Sequence, residues 1–228
     1  MPSHLYDAQY FSMESMVEVK ELARRAQAMN EKGLSDREIA DELHLSVDTV
    51  RYLVEQGAED GLPPTDVKIG WRSLGVSGTR MALMSDILAD IIEEELGRSG
   101  VEAGAVLGIA LNGVPFATYI SENLGLDLAV YKPPAERGKA GGAISANYAS
   151  IAGKKTVIID DVVTTGATAE EAVKDVREAG GDPILIVVVV NKSSLNEIAG
   201  VPMRGLIRAR SMGGTILGGG PLHSFPYH

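Results

Sequence analysis

Two adjacent carboxylates and a loop of hydroxyl-bearing and small residues are the groups of this sequence best suited to chemistry. Asp160 and Asp161 can accept hydrogen bonds from sugar hydroxyls, or hold a divalent cation with its waters. The loop can surround an anion at the start of a helix predicted at 169–179, where the helix dipole favours negative charge. Its candidate binding residues are Val162, Thr164, Thr165, Gly166, Ala167 and Thr168. The combination suits a ribose that carries a 5′-phosphate.

The elements around these residues are predicted to place them at the edge of a sheet. The apolar run at 157–159 predicts a parallel strand covered on both faces. The acids then lie at its carboxyl end, where open α/β sheets bind ligands. An ordinary strand–turn–helix with a solvated acidic turn is the alternative, but it explains neither the paired acids nor the threonine-rich turn. A P-loop is excluded because the chain contains neither G-x-x-x-x-G-K-S nor G-x-x-x-x-G-K-T.

The composition is that of a globular protein, because 45% of the 228 residues are hydrophobic and 23% are charged. This length allows one large domain or two small ones. No apolar run approaches the roughly 20 residues of a membrane helix, and no signal peptide is visible. The absence of cysteine fits a cytoplasmic protein, and the four histidines show no metal-ligand spacing, so no protein metal site is predicted. A net charge of −10 opposes nucleic-acid binding on average.

Helical signals dominate the first part of the chain. The apolar periodicity predicts a first helix that ends at Gly33. Ser35 and Glu38 form a capping box that begins a second helix. Residues 34–54 resemble a DNA-binding helix-turn-helix, in which His44 stands at a turn position that is often glycine.

The third helix of this segment is predicted to present its early exposed residues to a DNA groove. These residues are Ser46, Asp48, Thr49, Arg51 and Tyr52. Residues 12–60 carry six basic and twelve acidic side chains, which favours the alternative that the helices serve dimerisation or packing. A dimer that binds two symmetric half-sites can still reach a specific affinity against this background.

Beyond a glycine- and proline-rich stretch at 57–65, strands and helices alternate. The stretch predicts a linker, so we expect one domain at 1–60 and another at 61–228. Strands are predicted at 105–110, 128–131, 157–159, 184–190 and 205–209, and helices at 81–97, 116–124 and 169–179. This alternation predicts an α/β fold with a parallel sheet flanked by helices. Trp71 is expected to pack at the domain junction rather than to stack on a base.

Residues 67–212 resemble the type I phosphoribosyltransferases, which bind phosphoribosyl pyrophosphate (PRPP). The resemblance is carried by the apolar run, the acid pair and the threonine and glycine loop at 157–168. It implies a type I phosphoribosyltransferase-like sheet, PRPP as a ligand, and Mg²⁺ that accompanies PRPP. It also implies a pyrophosphate-binding loop at 108–115, often with a non-proline cis peptide, in which Leu111, Asn112 and Gly113 bind the ligand.

Two departures from the orotate enzymes of that family concern positive charge. Their pyrophosphate loop usually carries a lysine where this chain has Asn112. Their cationic mobile loop corresponds to residues 132–148, where an ordinary solvated loop explains the remaining cations equally well. These cations are Lys132, Arg137 and Lys139. Positive groups stabilise the negative charge on pyrophosphate as it leaves. The two differences therefore leave fewer cations in the part of the site that would stabilise this charge. If the reaction is retained, the resemblance implies a set of catalytic residues. They are Asp160, Asp161, Lys132 and Lys139.

The whole layout resembles the archaeal orotate phosphoribosyltransferase-like transcriptional regulators, which join an N-terminal helix-turn-helix to a phosphoribosyltransferase domain. The resemblance implies a homodimer that binds double-stranded DNA with an affinity that responds to PRPP or a nucleotide. The alternative is an active phosphoribosyltransferase, with orotate as the first substrate to test and a purine base as the second. A third hypothesis gives the helical pair a role in dimerisation only.

Overall fold

The computed structural model describes residues 19–56, 66–67, 69–133 and 143–209. The predicted linker at 57–65 lies outside these residues, as do Arg137 and Lys139 of the predicted mobile loop. Within the described ranges, no helix combines the length and the apolar character that a membrane crossing requires.

Three helices form a small N-terminal helical unit. α1 is described over residues 19–31, α2 spans Asp36–Leu43 and α3 spans Val47–Gln56. Their shared core consists of buried apolar side chains. These are Ala23, Ala26, Ile39, Ala40, Leu43, Leu45, Val50 and Leu53. The three predicted helices are therefore confirmed, while their binding to DNA remains a prediction.

Caps and a left-handed turn join these helices as predicted. Gly33 follows α1 with a φ of 88°. The Ser35 hydroxyl accepts a hydrogen bond from the backbone N–H of Glu38, whose carboxylate accepts one from the backbone N–H of Ser35 at 2.7 Å. His44 adopts the left-handed conformation with φ 56° and ψ 37°, which is uncommon for a residue other than glycine. The turn between α2 and α3 is consequently tight.

Over the described residues 69–133 and 143–209, a seven-stranded sheet forms the centre of the fold. Its strands are β1 (Ala105–Ile109), β2 (Asp127–Lys132), β3 (Ala143–Ile144), β4 (Lys155–Val163), β5 (Asp182–Asn191), β6 (Glu197–Ile198) and β7 (Val201–Arg208). They lie in the order β3-β2-β1-β4-β5-β7-β6. Neighbours among the five inner strands are parallel, and the edge strands β3 and β6 are antiparallel to their partners. The predicted α/β fold with a parallel sheet is confirmed, with two short antiparallel edges that were not predicted.

Helices cover both faces of this sheet. They are α4 (Arg72–Gly75), α5 (Gly78–Ser99), α6 (Gly113–Leu124) and α7 (Ala167–Glu178). Side chains of α5 and α6, such as Leu88 and Phe116, are buried in one apolar cluster, and those of α7, such as Val173, are buried in another. Both β4 and β5 contribute side chains to both clusters, and the run 184–190 of β5 is accordingly apolar at every position.

Several element boundaries differ from the prediction, and the difference at β4 concerns the site. β4 continues to Val163, so Asp160 and Asp161 lie within the strand rather than after it. Pairing with β5 extends the strand, because Asp160 pairs with Val188 and Val163 with Asn191. Helices α6 and α7 begin three and two residues earlier than predicted, at 113 and 167. A proline in the first turn of α6 is compatible with this early start, since the first N–H groups of a helix need no intrahelical acceptor.

Candidate functional site

The acid pair lies deep between the sheet and the chain segments around it. Only 8% of Asp160 and 2% of Asp161 is exposed. The Asp161 carboxylate accepts hydrogen bonds from the indole N–H of Trp71 at 2.6 Å and from the Asn112 amide at 3.1 Å. His44 Nε2 lies 3.5 Å from the same carboxylate oxygen. Four segments that are far apart in the sequence therefore meet at Asp161.

The two carboxyl groups differ in proton affinity. Burial, followed by the charge of Asp161, raises the pKa of Asp160 well above its ordinary value. Burial also acts to raise the pKa of Asp161, but the His44 contact and the hydrogen bond from Trp71 outweigh it, so this pKa is lowered. Asp161 is thus held as the anion, while Asp160 takes up a proton more readily. When Asp160 is protonated, the ionised Asp161 can still accept hydrogen bonds or bind a positive group. The two carboxyl groups then do not repel each other.

The loop between β4 and α7 forms an anion-binding turn. Gly166 has a φ of 84°, in a region that glycine occupies without strain. The Thr165 hydroxyl accepts a hydrogen bond from the N–H of Ala167 at 3.2 Å, and the Thr164 hydroxyl is buried without a partner. The backbone N–H groups of Thr165 and Thr168 point away from the helix toward one acceptor, the Asp41 carboxylate. The start of α7 therefore binds an anion in this structure, and that anion is the carboxylate of Asp41.

The predicted pyrophosphate loop lies beside the acid pair. The peptide bond between Ala110 and Leu111 is cis, as the resemblance implied for this loop. Leu111 is 70% exposed, and Asn112 directs its amide to Asp161. A Cβ atom at Gly113 would lie 2.3 Å from the carbonyl oxygen of Ile159. Glycine at this position lets α6 begin directly against β4, which brings the loop to the acids.

A cavity of about 130 Å³ lies among these groups. Its polar walls come from the acid pair, from Asn112 and Thr168, and from three residues of α2 and the turn that follows it, which are Asp41, Glu42 and His44. Among the described residues that line it, there is no lysine or arginine. Lys132 ends β2 and is exposed to solvent. Lys139, the other predicted catalytic lysine, lies outside the described residues.

Sequence reasoning missed three residues that meet at this site: Asp41, His44 and Trp71. Asp41 contacts residues 124 and 127 positions away, and Trp71 contacts a residue 90 positions away. A local sequence pattern does not reveal contacts between residues that are so far apart in the chain. The one signal in the sequence was His44, which stands at a turn position that usually favours glycine. A side chain at such a position indicates a role for that side chain.

The predicted DNA-contacting residues differ in exposure. Asp48 and Arg51 are exposed on α3, and Arg51 forms ion pairs at 3.5 Å with Asp36 and 3.7 Å with Asp48. The expectation that Thr49 faces outward was wrong. Only 4% of Thr49 is exposed, because its hydroxyl lies 2.8 Å from that of Ser46 in the cap of α3. Ser46 and Tyr52 are half-buried.

The sheet order, the acid pair in β4 and the loop before α7 define a type I phosphoribosyltransferase fold. Residues 75–212 match the family model described as the phosphoribosyl transferase domain. The orotate phosphoribosyltransferase of Aeropyrum pernix superposes with a TM-score of 0.51 at 23% identity, over 66% of this chain and 82% of that one. The UMP synthase of Leishmania donovani superposes with a TM-score of 0.50 at 26% identity, over 66% of this chain and 31% of that one.

Relatives with higher identity match a larger share of this chain. The transcriptional regulator GfcR of Thermoplasma acidophilum is 44% identical over 200 residues, which are 88% of this chain and 100% of that protein. GfcR of Methanobrevibacter smithii is 41% identical over 200 residues, which are 83% of this chain and 97% of that protein. The chain therefore belongs to the GfcR family of transcriptional regulators, and it contains a phosphoribosyl transferase domain.

Proposed function

We propose that this chain is a DNA-binding regulator whose phosphoribosyltransferase-like domain senses PRPP or a nucleotide. The observation that carries the proposal is the composition of the cavity wall. It supplies carboxylates and polar groups that suit a ribose phosphate, while the described part of the wall holds no lysine or arginine. A wall that suits a phosphorylated ribose, and whose described residues provide no cation for a departing pyrophosphate, is suited to sensing.

Each part of a phosphoribosyl ligand has a binding group in this site. Asp160 and Asp161 accept hydrogen bonds from ribose hydroxyls, and the pKa difference between them keeps Asp161 an acceptor. The loop at 162–168 surrounds the 5′-phosphate with backbone N–H groups at the start of α7. The cis peptide loop, with Leu111, Asn112 and Gly113, faces the pyrophosphate. An amide at Asn112 bonds to a phosphate oxygen without adding charge.

Magnesium fits this site as a companion of the ligand. Mg²⁺ is usually held by one or two carboxylates together with waters and substrate phosphates. The acid pair supplies the carboxylates, and PRPP supplies the phosphates. Over the described ranges no group of three or more acidic, histidine or cysteine side chains could hold a metal ion alone. The cation would therefore bind together with PRPP, to Asp160 and Asp161.

Catalysis is the second candidate, and the intact acid pair and phosphate loop favour it. In this case Asp160, Asp161, Lys132 and Lys139 would act on PRPP and a base. Ordinary enzymes turn over at about 1 s⁻¹ or faster. An active enzyme should release pyrophosphate from PRPP at such a rate with orotate or a purine base. A rate in that range would contradict a purely sensory role.

The N-terminal helical unit supports the DNA-binding part of the proposal. α2 and α3 are two short helices joined by a tight turn, as in helix-turn-helix proteins. Arg51 and Asp48 lie on the exposed side of α3. In a homodimer, two such helices would read symmetric half-sites, and this doubling would offset the repulsion from a net charge of −10.

The test is the fluorescence anisotropy of the DNA upstream of the protein's own gene, titrated with protein, with and without PRPP and Mg²⁺. We expect binding that exceeds the binding to a scrambled duplex and that shifts when PRPP is added. Absence of specific binding at low salt would remove the regulatory role from the helical unit and leave the enzymatic candidate. Specific binding without any shift would contradict the sensing part alone.

A further inference from the structure

The Asp41 carboxylate occupies the anion-binding turn of the phosphoribosyltransferase-like domain. One of its oxygens accepts a hydrogen bond from the Thr165 N–H at 2.7 Å, and the other accepts one from the Thr168 N–H at 3.0 Å. Only 7% of Asp41 is exposed. A carboxylate with two oxygens on two amides at the start of a helix is held as a phosphate is held there.

The contact belongs to a larger docking surface between α2 and the site. The carbonyl oxygen of Arg37 accepts a hydrogen bond from the Thr165 hydroxyl at 3.5 Å, and the Arg37 guanidinium lies 3.6 Å from the Glu170 carboxylate. At the other end of α2, His44 reaches Asp161 at 3.5 Å. The helix therefore lies across the site, with one acidic side chain on the phosphate loop and one imidazole on the acid pair.

Two anions cannot occupy the same two amides. A ligand phosphate in the loop at 162–168 needs the N–H groups of Thr165 and Thr168, which Asp41 now holds. Ribose hydroxyls need the Asp161 carboxylate, which His44 now contacts. Phosphate carries more negative charge than a carboxylate and offers more acceptor oxygens, so it competes well for a helix N-terminus.

We propose that Asp41 is an internal substitute for the ligand's phosphate and that binding of a phosphoribosyl ligand releases the N-terminal helical unit from the site. The inference rests on the proposed function, because it assigns a mechanism to the same ligand site. The docked and released arrangements are the two states that the ligand binds unequally. Since the docked state blocks the site, the apparent affinity for ligand is reduced by the fraction of molecules that are open.

The first test removes the charge of Asp41 in the full-length chain. Asp41→Asn is expected to bind PRPP with Mg²⁺ about tenfold more tightly than wild type in titration calorimetry, which corresponds to about 1.4 kcal/mol of lost docking free energy. Glu31→Gln removes the same charge from an exposed position in the same helical unit, and its affinity should equal that of wild type. Equal or weaker binding by folded Asp41→Asn would overturn the inference.

The second test observes the release without changing Asp41. The chain has no cysteine, so a doubly substituted Arg37→Cys, Glu170→Cys protein carries pyrene labels only at these two exposed positions. In the docked state the labels are neighbours and give excimer emission. PRPP with Mg²⁺ should abolish this emission, whereas ribose without a phosphate should leave it unchanged. Excimer emission that persists at saturating PRPP would overturn the inference.

The two proposals fail in different ways. If neither wild type nor Asp41→Asn binds PRPP, the sensing function falls, and the inference falls with it. If both proteins bind PRPP equally, only the inference is overturned. Tighter binding by Asp41→Asn together with a lack of specific DNA binding would support the inference and contradict the regulatory role.

Discussion

The ammonium group of Lys192 lies 3.2 Å from the carboxylate of Asp66, with only 6% and 10% of the two side chains exposed. Lys192 also donates a hydrogen bond to the carbonyl oxygen of His44, and Asp66 accepts one from the backbone N–H of Ser46. Lys192 directly follows β5, so the pair ties the carboxyl end of a central strand to the turn between α2 and α3. One buried ion pair thereby helps to hold the N-terminal helical unit in the docked arrangement.

Replacement of Lys192 by methionine should destabilise the protein. The change leaves Asp66 and the His44 carbonyl buried without their partner, and breaking a buried pair in this way costs about 3 kcal/mol or more. The free energy of unfolding in urea measures the loss. Lys174→Met is the matched control, because Lys174 forms a 3.8 Å pair with Glu178 while 71% and 65% of the two side chains are exposed. The control should cost about 0.5 kcal/mol or less, and equal losses in the two variants would contradict the anchoring role.

Asp160→Asn should stabilise the protein at pH 7. Because burial raises the pKa of Asp160, the folded protein binds a proton between the ordinary value of 3.8 and the raised pKa, whereas the unfolded chain has lost it. Wild-type stability therefore falls as the pH rises through this window. The neutral asparagine removes this fall, so Asp160→Asn should have a higher free energy of unfolding at pH 7 than wild type.

Asp161→Asn is the control for this prediction, because it should change the free energy of unfolding in the opposite direction. The pKa of Asp161 is lowered, so its ionised form contributes stability that is present above the ordinary pKa and is lost as the pH falls through the folded pKa. Asparagine should lower the free energy of unfolding at pH 7. Thermal unfolding of the wild type and the two variants from about pH 2 to pH 8 compares them, and a loss of stability in Asp160→Asn at pH 7 would refute the assignment.

Gly113→Ala should destabilise the fold and disrupt the loop at 108–115, which is predicted to bind pyrophosphate. The added Cβ would lie 2.3 Å from the Ile159 carbonyl oxygen, so α6 must move away from β4. Overpacking of this kind costs about 2–3 kcal/mol. Gly97→Ala is the matched control, because its Cβ meets no atom within 4 Å on the same type of element. Alanine there should add about 0.5–1 kcal/mol of stability, and similar effects in both variants would show that the close approach is unimportant.

Arg51→Ala should weaken DNA binding by about tenfold or more, because an exposed arginine on the third helix can contact a base or a phosphate. If Arg51 contacts a phosphate, the slope of log affinity against log salt concentration should also become shallower by about one, because one counterion fewer is released on binding. Arg25→Ala removes an equal charge from an exposed position on α1 and serves as the control. Anisotropy titrations at several salt concentrations measure both effects. Equal affinities for the two variants would move the DNA contact away from α3.

The parts of the fold that local sequence determines were predictable. α5 has a sustained apolar face, β5 is a continuous apolar run, and the capping box of Ser35 and Glu38 marks the start of α2. The strands β3 and β6 have two residues each, and they exist because a neighbouring strand supplies hydrogen-bond partners. No periodicity is visible in two residues, so these strands were missed.

The candidate site was predictable only where its residues are contiguous. The acid pair and the loop at 162–168 form one segment, and the sequence shows them together. Asp41 and His44 reach the same site through tertiary packing, and nothing in the composition of α2 distinguishes Asp41 from the other acids of a solvated helix. The extension of β4 past Asp161 also depends on a partner, because the parallel ladder with β5 keeps two acidic residues in strand conformation.

Trp71 is the chain's single tryptophan, and its indole donates the 2.6 Å hydrogen bond to Asp161 while its ring lies 5.7 Å from that of Phe116. Ultraviolet excitation of this protein at tryptophan wavelengths therefore addresses one chromophore, which is hydrogen-bonded to Asp161 of the candidate site. Any occupant that draws Asp161 away, or that changes the polarity beside the indole, alters the emission of the whole molecule. The protein carries its own optical reporter of site occupancy.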